Sequence, residues 1–206
     1  MRRINFKDVE VAYLTSTKFP ERDKDTKEML DKLGVEAHRF DGGVTDPYTI
    51  GVATGHLQAL SSLSMPCLLL EDDARLAVKM PEFSSVTMEI PDNAQALYLG
   101  TSQFGRIENK TALGGVICSR TQYNWVHRVY NMLSMHAVIY LCDEYKKHIT
   151  THLEAFIKNP PPDNGVDDFI ADTMHRFQVY AVSRPLFFQQ DGHSDQVTLA
   201  PLMPKI

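Results

Sequence analysis

The chain has 206 residues, 43% of them hydrophobic and 23% charged, with a formal net charge of −5 at pH 7. That length supports one globular core, and the negative charge, with no long Lys/Arg block, argues against a nucleic-acid-binding surface. The three cysteines, Cys67, Cys118 and Cys142, have no CxxC or Cys/His spacing; they read as free thiols of a reducing compartment, not as a disulfide framework or zinc site.

The opening MRRINFKDVEVAYL breaks its apolar residues with Lys7, Asp8 and Glu10, unlike a signal peptide. No apolar run approaches the roughly 18 residues of a membrane span. The expectation is a soluble, cytoplasmic protein. VEVAYLTST (9–17) predicts a buried strand ending in small hydroxyl residues. PERDKDTKEMLDKLG (20–34) has the leading proline, acidic first turn and terminal glycine of a helix, with Met29, Leu30 and Leu33 on one face. VEAHRFDGG (35–43) predicts a second strand, so the three pieces make a right-handed parallel βαβ unit.

GVATGHLQALSSLS (51–64) predicts a helix, and PCLLLE after it is a short continuous apolar run, as in a central strand buried on both faces. Residues 94–101 and 112–120 predict further strands. TQYNWVHRVYNMLSM (121–135) reads as a helix, AVIYLC (137–142) fits either state, and DEYKKHITTHLEAFIK (143–158) predicts a helix. NPPPDNG (159–165) is a rigid loop and not a linker. A helix (166–177), a strand (178–183) and a polar tail, FFQQDGHSDQVT, follow. The expected fold is α/β, with a Rossmann-like, mostly parallel central sheet flanked by helices.

The chemical lead is the run Glu71, Asp72, Asp73 at the end of that apolar strand. Strand alternation sends Glu71 and Asp73 to one side and Asp72 to the other. Ligands of open α/β sheets bind beyond the carboxyl ends of strands. Adjacent buried carboxylates repel unless a cation compensates, and oxygen-only donors suit Mg²⁺ or Mn²⁺. The competing reading is a solvated acidic turn that caps the segment after it.

Several stretches together resemble small GT-A glycosyltransferases, above all the lipopolysaccharide and collagen-type family with a Glu-Asp-Asp signature. These are YLTSTKFPERDKDTKEMLDKLGVEAHRFDG, GVATGHLQALSSLSMPCLLLEDDARL, HAVIYLCDEYKKHI and PDNGVDDFIADTMHRFQVYAVSRPLFFQQDGHSD. Gly55 stands where the family's helix carries a Ser before its His. Compact enzymes of this kind also occur in large DNA viruses. The resemblance implies one GT-A domain over 1–206, with residues 1–101 as the nucleotide-binding half and 102–206 as the acceptor-side half. It implies transfer of a sugar from a UDP-sugar, by default UDP-glucose, to a glycan or other hydroxyl acceptor, with Mn²⁺ or Mg²⁺ on the diphosphate.

Carried onto this chain, Asp73 would bind the metal, Glu71 would reach the ribose or the metal through water, and Asp72 would face the donor sugar or support its loop. His193, in DGHSD, is a candidate late metal ligand or a surface histidine. Arg22 could supply a second cation or stack on the base, or be a solvated helix-start residue. Thr15, Ser16 and Thr17, and Asp41 before Gly42, could read base or ribose, or simply make good turns. Gly114 and Gly115 could admit the donor sugar or sit in a bulge. Among Asp167, Asp168, His193 and Asp195, the candidates favoured for a base are Asp168 and Asp195. A receiver domain is excluded because its acidic pair would follow the first strand, which here ends Thr-Ser-Thr. A metal-dependent phosphohydrolase or nuclease using Asp41 and Asp167, and a catalytically silent nucleotide-sugar-binding module, are the competing functions.

Overall fold

The structure, a computed structural model, describes residues 1–43, 45, 47–106, 113–161, 165–190 and 201–202. In chain order come β1 (Arg2–Asn5), β2 (Glu10–Thr15), α1 (Pro20–Lys32), β3 (His38–Asp41), α2 (Tyr48–Ser62), β4 (Cys67–Glu71), β5 (Ala74–Leu76), β6 (Thr87–Ile90) and β7 (Ala96–Tyr98). Then follow β8 (Phe104–Arg106), β9 (Leu113–Gly115), β10 (Ile117–Arg120), β11 (Val126–Asn131), β12 (Ala137–Tyr140), α3 (Asp143–Lys158), α4 (Val166–Thr173), β13 (Val179–Val182) and β14 (Phe187–Gln189).

Eight strands form one sheet in the order β10-β11-β13-β7-β12-β4-β2-β3. Six of them share one direction; β11 and β12 run against it, so the sheet is mixed in its pairings although most strands are parallel. β2, α1 and β3 make the expected parallel unit.

Alternation along the central strands fills two cores, one on each face. Ala12, Leu14, Leu69, Val138 and Tyr140 face one core together with Ala59 and Leu60 of α2, Ile149 and Leu153 of α3 and Ile170 of α4. Val11, Tyr13, Leu68, Leu70 and Ile139 face the other, with Met29 and Leu30 of α1 and residues of the β1–β6 ribbon. The continuous apolar run of β4 is therefore buried on both sides, as its composition requires. α1 starts on Pro20 with Glu21 and Asp23 in its first turn, where the missing proline N–H costs nothing and negative charge meets the helix dipole.

Two sequence expectations change. Residues 121–135 hold strand β11 and not a helix, paired to β10 and β13. Part of the polar tail is strand β14, which pairs antiparallel with β5. Cys67 and Cys118 are buried free thiols and Cys142 is a half-buried one. Among the described residues no helix is long and apolar enough to cross a membrane.

Candidate active site

Three parallel strands end along one sheet edge, β2 at Thr15, β3 at Asp41 and β4 at Glu71. Helix α2 reaches this edge by close backbone packing. A Cβ on Gly42 would lie 2.6 Å from the Gly51 carbonyl oxygen, and one on Gly55 would lie 3.2 Å from Gly42 Cα. The Ser-to-Gly departure at position 55 thus has a packing reason: the helix rides on the β3 exit. Between them opens a cavity of about 230 Å³. Thr15 and Ser16, the Gly42–Gly43 turn, Arg22, Tyr48, the acidic run and Gln189 line it.

The acidic run does not continue as a strand. β4 stops at Glu71, and Asp72 and Asp73 form a turn into β5, so the strand alternation expected to turn Asp72 away from its neighbours does not apply. All three side chains line the cavity. The turn's backbone is held from outside. The Asp72 carbonyl accepts from Arg75 NH1 at 2.8 Å and from Thr26 Oγ1 at 3.1 Å, and the Asp73 carbonyl accepts from Gln190 N at 2.9 Å. The segment after it is a strand, which removes the helix-capping alternative.

The three carboxylates differ electrostatically. Glu71 keeps the alternation of β4 and points toward α2, where buried His56 donates from Nε2 to Glu71 Oε1 at 3.0 Å. Burial pushes Glu71 up, but the His56 hydrogen bond and charge, helped by His136 and Arg22, hold it below the ordinary carboxylate value. Asp72 is raised by burial against the pull of Arg22, whose NH1 stands 3.5 Å from Asp72 Oδ1. Burial, reinforced by the charge of Glu71, pushes Asp73 up to about 7. Arg22 is 4.0 Å from Asp73 Oδ2, and Gln189 Nε2 donates to that oxygen at 3.4 Å; Asp73 Oδ1 is buried with no hydrogen-bond partner.

A second cavity, of about 210 Å³, adjoins the first and shares Tyr48, Val52, Glu71 and Gln189 with it. Asp167, at the start of α4, lines it. Burial and neighbouring Asp168 push Asp167 up to about 6. Asp168, favoured from sequence as a base, instead accepts from Gly165 N at 2.6 Å and caps α4.

Of the remaining sequence candidates, Thr15, Ser16 and Arg22 reach the first cavity, while Thr17 is exposed and Asp41 does not line it. Asp41 acts indirectly, its Oδ1 accepting from Gly43 N at 2.8 Å and shaping the turn that lines the cavity. Gly114 and Gly115 pair with Gly105 and Phe104 in the β8–β9 ribbon and line neither cavity. His193 and Asp195 lie outside the described residues. Among the described residues no three His, Cys, Asp or Glu side chains stand together as a closed metal site. The donors that fit a hard divalent cation are the free Asp73 Oδ1 and, behind it, Glu71.

Sequence reasoning missed Tyr48, Gln189 and His56. Tyr48 packs edge-on to Phe19 at 6.3 Å, and Phe19 also carries the Arg22 guanidinium at 4.6 Å from its ring centre. A lone tyrosine or glutamine carries no spacing signal. His56 lies 15 residues before Glu71, on the helix that leads into β4, and that separation by itself does not announce that the two side chains meet.

No known family model matches the chain, and no curated protein matches it. Among solved structures it is similar to CTP:phosphocholine cytidylyltransferase from Streptococcus pneumoniae, at 11% identity over 91% of this chain and 96% of that one, with a TM-score of 0.47. It is also similar to the inositol-1-phosphate CTP transferase from T. maritima, at 14% identity over 91% of this chain and 72% of that one, with a TM-score of 0.46. Likeness at this level carries no argument about chemistry.

Proposed function

We propose that the protein is a metal-dependent GT-A-type glycosyltransferase that moves a sugar from a UDP-sugar, by default UDP-glucose, to a hydroxyl acceptor. The observation that carries this reading is Asp73 Oδ1, a buried carboxylate oxygen with no partner, in a cavity at the carboxyl ends of parallel strands. An oxygen in that state is costly unless a ligand completes it.

In this reading the Ser16 and Gly42–Gly43 backbone and the Thr15 hydroxyl hold the nucleoside. Tyr48 and Phe19 form the apolar lip. Asp73, with Glu71 behind it, would hold a Mn²⁺ or Mg²⁺ ion, whose chemistry is to neutralise charge on the diphosphate leaving group. Arg22 adds a fixed positive charge beside the Asp72 and Asp73 carboxyl groups. His56 keeps Glu71 ionised and oriented. Residues 1–101 supply most of this cavity, and Gln189 enters it from the second half of the chain.

The test is a melting-temperature and donor-hydrolysis panel of nucleotide sugars, CTP and UTP, with Mn²⁺ or EDTA. Stabilisation by UDP-sugars that EDTA abolishes supports the reading, and Asp73→Ala should remove metal-dependent turnover while leaving the fold intact. Indifference to every nucleotide sugar sinks it. Binding without turnover points to a silent binding module, and cleavage of phosphodiesters to a phosphohydrolase.

A further inference from the structure

We propose that the second cavity is the acceptor site, that it takes an uncharged hydroxyl compound, and that Asp167 receives the proton of the reacting hydroxyl; this rests on the transferase reading above. The two cavities share four wall residues, so occupants of each meet at Glu71 and Gln189 without leaving the cleft. The acidic turn belongs to the first cavity only, and Asp167 to the second only.

Neighbouring carboxylates are committed elsewhere, which leaves Asp167 for chemistry. Glu71 receives the His56 hydrogen bond and Asp168 caps Gly165 N. Among the described residues no side chain hydrogen-bonds to Asp167; its carboxyl group accepts from backbone N–H groups at the start of α4, and burial outweighs them. The side chain packs close against the start of α4, where a Cβ at position 165 would lie 2.7 Å from Asp167 Oδ1. Its upward displacement by burial leaves it mostly ionised at pH 7 and a stronger base than an exposed aspartate.

The charge of the lining sets the acceptor class. The wall holds the carboxyl groups of Glu71 and Asp167, the Tyr48 and Ser134 hydroxyls and apolar Val52 and Met135, with no Lys or Arg among its described residues. Such a wall repels an anionic acceptor and hydrogen-bonds a neutral polyol. In the step itself, the acceptor hydroxyl gives its proton to the Asp167 carboxylate and its oxygen bonds to the donor's anomeric carbon. The bond from that carbon to the β-phosphate oxygen breaks, and its electron pair leaves with the diphosphate.

The experiment follows UDP-glucose hydrolysis, with water as the acceptor, in wild type, Asp167→Asn and Asp167→Glu, beside the melting shift given by UDP-glucose and Mn²⁺. Asp167→Asn should lower turnover about 100-fold or more and leave the shift unchanged; Asp167→Glu should lower it about 10-fold with the same shift. Wild-type turnover in either folded variant overturns the role of Asp167, as does a lost shift, which would put the carboxylate in donor binding. A wild-type protein inert to every UDP-sugar instead removes the transferase reading, and this role with it. Methyl β-glucoside and methyl β-glucuronide, offered as acceptors and as competitors of hydrolysis, read the class. The neutral glycoside should act and the anionic one should not. Equal action, or no action by either at high millimolar concentration, overturns the assignment.

Discussion

Asp73→Asn removes a carboxyl group whose ionisation the fold itself opposes. The group rises from its ordinary 3.8 to about 7, because of burial first and the charge of Glu71 second, with Arg22 opposing. A rise of about 3 pH units at 1.36 kcal/mol each is about 4 kcal/mol; Glu71 shares in that balance, so about 2–4 kcal/mol is the working range. The unfolded chain releases this proton near 3.8 and the folded chain near 7. Between those values the folded chain binds more protons, so the metal-free protein loses stability as pH rises through the interval. The loss is complete above 7. At pH 5 only about 1–2 kcal/mol of it is present.

Asparagine does not titrate, so the stability of Asp73→Asn minus that of wild type should grow by about 2–3 kcal/mol from pH 5 to pH 8 without divalent ions. Any fixed cost of burying an amide at this position cancels in that difference. Urea melts followed by the fluorescence of Trp125, the chain's one tryptophan, measure it. If Asp73 is a metal ligand, Mn²⁺ at pH 8 should stabilise wild type and leave the variant unmoved. A difference independent of pH, or one that shrinks toward pH 8, would refute a burial-raised Asp73.

Two further predictions concern the frame around the site. At Gly100 an added Cβ would lie 1.9 Å from Nε2 of buried His136, so Gly100→Ala should cost about 3 kcal/mol in urea melts. Adding His136→Ala should make the two costs strongly non-additive, and simple additivity would show the clash is relieved another way. On α3, burial, helped by His152 and Arg176, depresses His148 to about 4. The unfolded chain takes up a proton near 6.5 and the folded chain only near 4, so stability is lost as pH falls between them. Discounted for partial exposure, wild type should lose about 1–2 kcal/mol between pH 7 and pH 4.5 that His148→Gln does not; parallel pH profiles for the two proteins contradict this.

How far the sequence reached depended on the range of the interactions involved. β2, α1, β3, α2 and β4 were legible because Pro20, Gly34 and the apolar runs are local signals. β11 was not. Trp125, Val126, Val129, Tyr130 and Leu133 repeat with helical spacing, yet Val126 fills one core and Val129 the other. Between them Arg128 lies buried, its guanidinium donating to the carbonyls of Val129, Val179 and Phe177. A strand buried on both faces, with a charge satisfied by backbone, has no period of two to read. Gln189 was hidden for another reason. It reaches Asp73 across 116 positions of chain through the β14–β5 pairing, and no local pattern announces a partner so distant.

The same limit explains why three adjacent carboxylates could be ranked but not separated from sequence. Strand alternation put Glu71 on the face of Leu69, but it could not say that α2 covers that face or that buried His56 waits there. It failed for Asp72, which lines the cavity beside its neighbours, because the chain leaves β4 at Glu71 and a turn obeys no alternation. What distinguishes the three is which internal donor each one meets. Glu71 has His56 and Asp72 has the nearer approach of Arg22, at 3.5 Å. Asp73 has Arg22 only at 4.0 Å, a neutral amide on Oδ2 and nothing on Oδ1. The fold compensates two charges of the run from within and leaves the third incomplete, so a cation entering this cleft gains most at Asp73. Glu71 and Asp72, already paired, hold the walls around it.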